Sequence, residues 1–139
     1  MKKIFTLTTI LFSACLLHAQ VFYVLETGTG AEKPIKTSLV ASEQVITELP
    51  QKASYIIKTD VTTPTYWKRG TVKLVLINNV TGKIVYQTQE RHAGPGSAQY
   101  PASLRRAVKR LMKNYGSDIL LNAQKNIHET MVKDNAAIP

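Results

Sequence analysis

Thr71-Val72-Lys73-Leu74-Val75-Leu76-Ile77-Asn78, then Asn79-Val80-Thr81-Gly82, then Lys83-Ile84-Val85-Tyr86-Gln87-Thr88-Gln89-Glu90-Arg91: the fold turns on how these residues are read. Apolar and β-branched residues fill the first segment and turn formers the second. The third alternates, so the stretch reads as a β-hairpin. Val72, Leu74 and Leu76 point one way and Val75 and Ile77 the other. Apolar residues on both faces put this strand inside a sheet. The return strand sets Ile84 and Tyr86 against Lys83, Gln87 and Gln89, so it has one wet face or lies at an edge.

Working outward towards the N-terminus, Ser54 to Val61 reads as a strand, and Val21 to Glu26 as another, followed by a Thr27–Gly30 loop. Between them the spacing of Ile35, Leu39, Ser42, Ile46 and Leu49, with Val45 alongside, predicts a helix over 34–49. Pro34 suits its first position and Pro50 its end. Towards the C-terminus, Gly94-Pro95-Gly96-Ser97 must be loop. A helix is predicted from about Pro101 to Tyr115, stopped by Gly116. Ser117 or Asp118 then caps a last helix reaching about Val132. The order is β-α-β-β-β-α-α, an α+β arrangement with helices on one face of a small, mainly antiparallel sheet. Residues 20–133 make one domain and 134–139 a frayed tail.

The first nineteen residues read differently. Met1-Lys2-Lys3 is a positive start, Ile4 to Leu17 is uncharged and mostly apolar, and Leu17-His18-Ala19 suits a signal peptidase, so residues 1–19 are expected to be a cleaved signal peptide. The apolar run, about 14 residues, is short of the roughly 20 a spanning helix needs, and no later stretch spans either. Phe12-Ser13-Ala14-Cys15 loosely resembles a lipoprotein box. Phe12 and the continuing Leu16-Leu17 fit it poorly, so lipidation of Cys15 is the lesser alternative. With the leader gone, the chain has no cysteine, which excludes disulfides, thiol catalysis and cysteine-based zinc. It keeps 16 basic and 9 acidic residues, a formal +7. That excess favours anionic partners: a lipid or polymer surface of the envelope, or an acidic envelope protein. Nucleic acid is not expected, and the oligomeric state is left open.

The helix around residue 108 carries the most information. Leu104, Val108, Leu111 and Tyr115 share one face, flanked by Ala107 and Met112. Arg105, Arg106, Lys109, Arg110 and Lys113 occupy the opposite arc. No acidic residue lies between Glu90 and Asp118. Five cations without acidic partners repel one another, and they form a candidate site for phosphate or carboxylate groups. Arg91 and His92 can lie close to them. Trp67 and Arg69, within Tyr66-Trp67-Lys68-Arg69, are a candidate secondary contact, because aromatics and arginine bury well at interfaces.

No catalytic residue, metal site or cofactor is expected. His92 and His128 sit on separate elements, and His128-Glu129 is not followed by the second histidine of a metalloprotease helix. Ser97 and Ser103 lack the setting of an exposed nucleophile. The scattered carboxylates offer no acid–base pair.

Tyr23 to Gly30 looks like the opening of FK506-binding-type prolyl isomerases. The helical segment that follows, and the lack of any phenylalanine after Phe22, set the chain apart from them. Val72 to Gln87, with Leu39 to Leu49 and Leu104 to Leu111, resembles small periplasmic domains of bacterial envelope proteins. These are the N-terminal domain of the Tol-system propeller protein, outer-membrane lipoprotein activators of cell-wall synthases, and the curli-secretion lipoprotein family. The resemblance implies a non-enzymatic domain that docks other envelope components. The alternatives are a small exported enzyme of unknown reaction and a structural subunit of an oligomer.

Overall fold

A computed structural model describes residues 20–65, 67, 69–93 and 100–136, with side chains through residue 130. The leader with Cys15 and the Gly94-Pro95-Gly96-Ser97 loop lie outside the described residues. The elements are β1 (Val21–Val24), α1 (Glu32–Ala41), β2 (Val45–Ile46), a 3-10 turn (Pro50–Lys52), β3 (Tyr55–Thr62), β4 (Thr71–Asn78), β5 (Ile84–Gln87), β6 (Arg91–His92) and α2 (Tyr100–Ala136). Sheet order is β2-β1-β3-β4-β5, with β6 also paired to β4. β1 pairs β2 and β3 in parallel, and β3, β5 and β6 run antiparallel to β4. The molecule is thus α+β, with a mixed sheet.

The hairpin forms over the expected residues. Asn78 Oδ1 accepts from the backbone N–H groups of Val80 (2.9 Å) and Thr81 (3.2 Å), which bends the chain. Gly82, at φ +70°, supplies the left-handed residue that closes the turn. Asn79 donates from Nδ2 to the carbonyls of Pro50 (2.8 Å) and Ala53 (2.9 Å), tying the turn to the 3-10 segment. β4 is central, as its two apolar faces require. The return strand is interrupted between β5 and β6. There the buried Thr88 accepts the Leu74 N–H at its Oγ1 (3.0 Å), and its own N–H donates to Leu74 O (3.0 Å). One side chain stands in for a backbone acceptor, and the ladder resumes three residues later, at Arg91.

One face of the sheet holds the core. Phe22 and Val24 of β1, Tyr55 and Ile57 of β3, and Val72, Leu74 and Leu76 of β4 all point the same way. They meet Ile35 and Leu39 of α1 and Leu104, Val108, Leu111, Ile119 and Ala123 of α2. Fully burying a side chain of this size contributes about 1.5–3 kcal/mol. A polar pin fixes the second half of α2 to the sheet. The Tyr55 hydroxyl lies 2.9 Å from Ala123 O and 3.0 Å from Asn126 Oδ1, sharing its proton between them, and Asn78 Nδ2 donates to the same Asn126 oxygen at 2.7 Å.

Three expectations are corrected. The helix predicted over 34–49 ends at Ala41. Glu43 adopts φ +59°, its N–H reaches Val40 O at 3.0 Å, and the Gln44 N–H reaches Leu39 O at 3.0 Å. That is a Schellman stop made without glycine. Val45 and Ile46 leave the helix to pair with Val21 and Phe22. Only Ile35 and Leu39 of the predicted stripe are buried on the helix.

The two closing helices are one helix of 37 residues. Gly116 is buried inside it, and a β-carbon there would lie 3.7 Å from Met112 Cε and 3.7 Å from Ser38 Oγ. Gly116 therefore marks where α1 packs on α2, not a stop. α2 also continues through Ala136, into the segment assigned to the tail. The element order is accordingly β-α-β-β-β-β-β-α.

Candidate functional site

α2 docks through Leu104, Ala107, Val108, Leu111 and Met112, all buried. This follows from the 3.6-residue repeat, which leaves Arg105, Arg106, Lys109, Arg110 and Lys113 on the solvent side. Contacts run in the same order along both helices, Gly30 with Arg105 and Ser38 with Gly116. α1 thereby becomes the second wall of a groove of about 730 Å³. Its lining brings all five predicted cations together with Lys33, Pro34, Thr37, Ser38, Ala41 and Met112. The lining is cationic at the ends of its long side chains and otherwise largely apolar, with Pro34, Ala41 and Met112 among its residues and lysine and arginine carrying apolar stems.

Arg105 is the tethered member. Its Nη1 donates to Thr29 O at 3.2 Å, and Gly30, at φ +79°, leaves room where a β-carbon would come within 3.4 Å of the Arg105 side chain. The loop beneath is ordered by side chains: Thr27 Oγ1 lies 2.6 Å from Thr29 Oγ1 and donates to Glu32 Oε2 at 3.1 Å. Burial would push the Glu32 carboxyl up. The backbone and Thr27 hydrogen bonds and the nearby Lys36 charge outweigh it, so its pKa is lowered. Glu32 stays anionic at the N-terminus of α1, where the helix dipole favours it.

Among the described residues no carboxylate lines the groove. Among the described residues the salt bridges are Lys36 with Glu26 and Glu48, and Lys73 with Asp60; none involves a groove cation. The six positive charges face solvent without internal compensation.

A smaller cleft of about 250 Å³ lies on the other flank of α2, lined by Arg91, His92, Ala93, Ser103, Arg106, Ala107 and Arg110. The expected proximity of Arg91 and His92 to the helix cations is realised here. Arg106 and Arg110 belong to both hollows. Trp67 is 88% exposed and Arg69 is exposed too; neither lines the groove or the cleft. His128 lies on α2, on a separate element from His92. No group of three or more His, Cys, Asp or Glu among the described residues can hold a metal ion. No helix among them is long and apolar enough to cross a membrane. What sequence reasoning missed was the α1 wall, Lys33 above all, and Ser103 of the cleft.

No protein-family model matches this chain, and no curated protein matches it. Among solved structures, protein XCC0632 from Xanthomonas campestris aligns at a TM-score of 0.46 and 11% identity, over 79% of this chain and 88% of that one. The PelC dodecamer from Paraburkholderia phytofirmans aligns at 0.41 and 19% identity, over 68% and 86%. Lipoprotein GNA1162 from Neisseria meningitidis aligns at 0.40 and 12% identity, over 68% and 97%. This chain is therefore similar to bacterial proteins that include a lipoprotein and a dodecamer-forming subunit, in each case at low identity.

Proposed function

We propose that the chain is an exported, non-catalytic component of the cell envelope that binds an anionic envelope partner through the α1–α2 groove. The observation that carries this reading is six cations, Lys33, Arg105, Arg106, Lys109, Arg110 and Lys113, lining one hollow with no carboxylate among its described residues. Charges that merely keep a helix soluble are usually interleaved with acidic ones at i+4 spacing, which offsets their repulsion. Here the repulsion is left standing, and an anion relieves it. The signal-like leader supports export, and the apolar floor supports a partner with hydrocarbon beside its charge. Trp67 and Arg69 provide a second contact.

The test is co-sedimentation of the mature chain, residues 20–139, with phosphatidylglycerol and phosphatidylcholine vesicles, lipopolysaccharide and cell-wall fragments. The parent should bind at least one anionic target and not phosphatidylcholine. Replacing Arg105, Arg106, Lys109, Arg110 and Lys113 by glutamine should weaken that binding at least tenfold. Unchanged binding would overturn the reading.

A second reading, a subunit of an oligomer, is favoured by the far face of the sheet. The core helices pack on one face only, while Tyr23, Ile56 and Ile77 stay half-buried and Ile84 exposed on the other. A monomer mass by sedimentation equilibrium at 100 µM, a concentration of order 10⁻⁴ M, would dismiss it.

A further inference from the structure

We propose that the cleft bounded by Arg91, His92, Ser103, Arg106 and Arg110 is a second anion site, built for a single phosphoryl group. It extends the function proposed above but does not depend on the groove being occupied. The walls come from two elements, β6 and α2. Arg91 and His92 sit in the ladder opposite Val72 and Thr71, and the chain after them is tied by the Ala93 N–H to Gly70 O at 2.8 Å. Arg106 and Arg110 are one turn apart on α2 and project over the same hollow. The floor is Ala93 and Ala107, both buried, and their small side chains leave the space open.

Every polar side chain at this cleft can donate. Three arginines and a serine line the cleft, with His92 next to Arg91 on the strand; among the described residues no carboxylate is in the lining and no salt bridge reaches any of them. Three guanidinium groups facing one hollow repel unless an anion sits between them. Their planar forks match the paired oxygens of a phosphoryl group better than ammonium groups would. The groove differs in kind: its cations include three lysines and its floor is apolar, which suits an extended partner. The cleft is smaller and walled by arginine. A free phosphate and the phosphate of a lipid headgroup present the same oxygens, so the experiment separates the two sources.

The mature chain is titrated with inorganic phosphate and, separately, with phosphatidic acid in phosphatidylcholine vesicles. Arginine Nε signals are followed in the first arm and co-sedimentation in the second. Arg91→Gln should weaken binding at least tenfold in one arm or both. Arg91→Lys, which keeps the charge but not the fork, should recover only part of the loss. A Lys52→Gln, Lys125→Gln double variant, outside both hollows, should change phosphate affinity less than twofold, and a Lys109→Gln, Lys113→Gln double variant should weaken it less than Arg91→Gln does. Dependence on Arg91 in the vesicle arm alone assigns the phosphoryl group to a lipid, and in the phosphate arm to a soluble ligand. If Arg91→Gln, folded by its urea midpoint, binds like the parent in both arms, the cleft is not a site. If binding instead follows Lys109 and Lys113, the groove reading stands and this one falls.

Discussion

Replacing Arg106, Lys109, Arg110 and Lys113 by glutamine should make the protein more stable, not less. These four, with Arg105, form like-charge pairs at i, i+4 (Arg105 with Lys109, Arg106 with Arg110, Lys109 with Lys113) and at i, i+3 (Arg106 with Lys109, Arg110 with Lys113). Each such pair costs an isolated helix roughly 0.2–0.5 kcal/mol, so five set a ceiling of about 1–2.5 kcal/mol. The side chains are exposed, and screening takes the expectation to the lower end, about 1 kcal/mol at low salt. Glutamine matches lysine and arginine in helix propensity, so the substitution adds little of its own. Arg105 is left in place because its hydrogen bond to Thr29 O is a structural contribution that would confuse the sign. The assay is urea unfolding of the mature chain followed by far-UV circular dichroism, at about 20 and 500 mM NaCl. At the higher salt the screening length is only about 4 Å, so the gain should shrink towards zero. A loss of about 1 kcal/mol or more at low salt would mean that these cations hold the fold together. It would refute the argument that they are kept at a cost to stability for the sake of a partner.

Other expectations rest on the pin and the backbone. Asn126→Leu should cost about 2–3 kcal/mol, because it strips Asn78 Nδ2 of its acceptor in a part-buried site, and Tyr55→Phe about 1 kcal/mol. A double variant whose cost equals the sum of the two in urea unfolding would show that they do not act as one network. Glu43→Gly should stabilise by about 0.5–1 kcal/mol by relieving the left-handed conformation. Gly116→Ala should do the same through helix propensity, since the added methyl meets only ordinary contacts; a drop in melting temperature in either would contradict its assigned geometry. Burial raises the pKa of Tyr55, Tyr86 and Tyr100 above 10.0, helped at Tyr86 by the charges of Asp118 and Tyr115. The unfolded chain therefore loses those protons first, so stability is complete below about pH 10 and falls as pH rises beyond it. Tyr55→Phe should flatten that fall, measured as urea midpoints between pH 9 and 11.

The sheet was legible because strand signals are local. Thr71 to Asn78 carries its alternation and its central position within one stretch, and its turn follows directly. The return strand departs from its pattern: a bulge pairs Ile84 with Ile77 and Tyr86 with Leu76, so Ile84 and Tyr86, expected on one face, lie on opposite faces. The errors fall where a local signal has two meanings. Val45-Ile46 continues a helical stripe and also makes a short β-strand, and what decides is an edge on β1 that accepts it. A glycine after a basic amphipathic run signals a helix end, yet a helix can run through it, and at Gly116 it does so with Ile119 and Ala123 beyond it joining the core. The same holds at the site. The five cations of α2 were legible because one helix's period collects them. Lys33 was not, since nothing local ties it to residues more than seventy positions on.

The continuity of α2 is what turns a charged segment into a site. Had the helix ended at Gly116, the basic half would be held by Leu104, Ala107, Val108, Leu111, Met112 and the Arg105 hydrogen bond alone. Instead it shares one rigid rod with Ile119, Ala123 and the Asn126 pin, whose hydrogen bonds to Tyr55 and Asn78 anchor it to β3 and β4. Fixing the far end of the rod fixes the direction in which Arg105 to Lys113 project. Arg106 and Arg110, shared by groove and cleft, then cannot turn towards one hollow without their backbone staying registered to the other. Preorganised cations pay less to meet an anion than flexible ones do. Loosening the pin by Asn126→Leu should therefore weaken anion binding as well as stability, although Asn126 lines neither hollow. Binding that stayed unchanged in a folded Asn126→Leu protein would show that the two halves of the helix act independently.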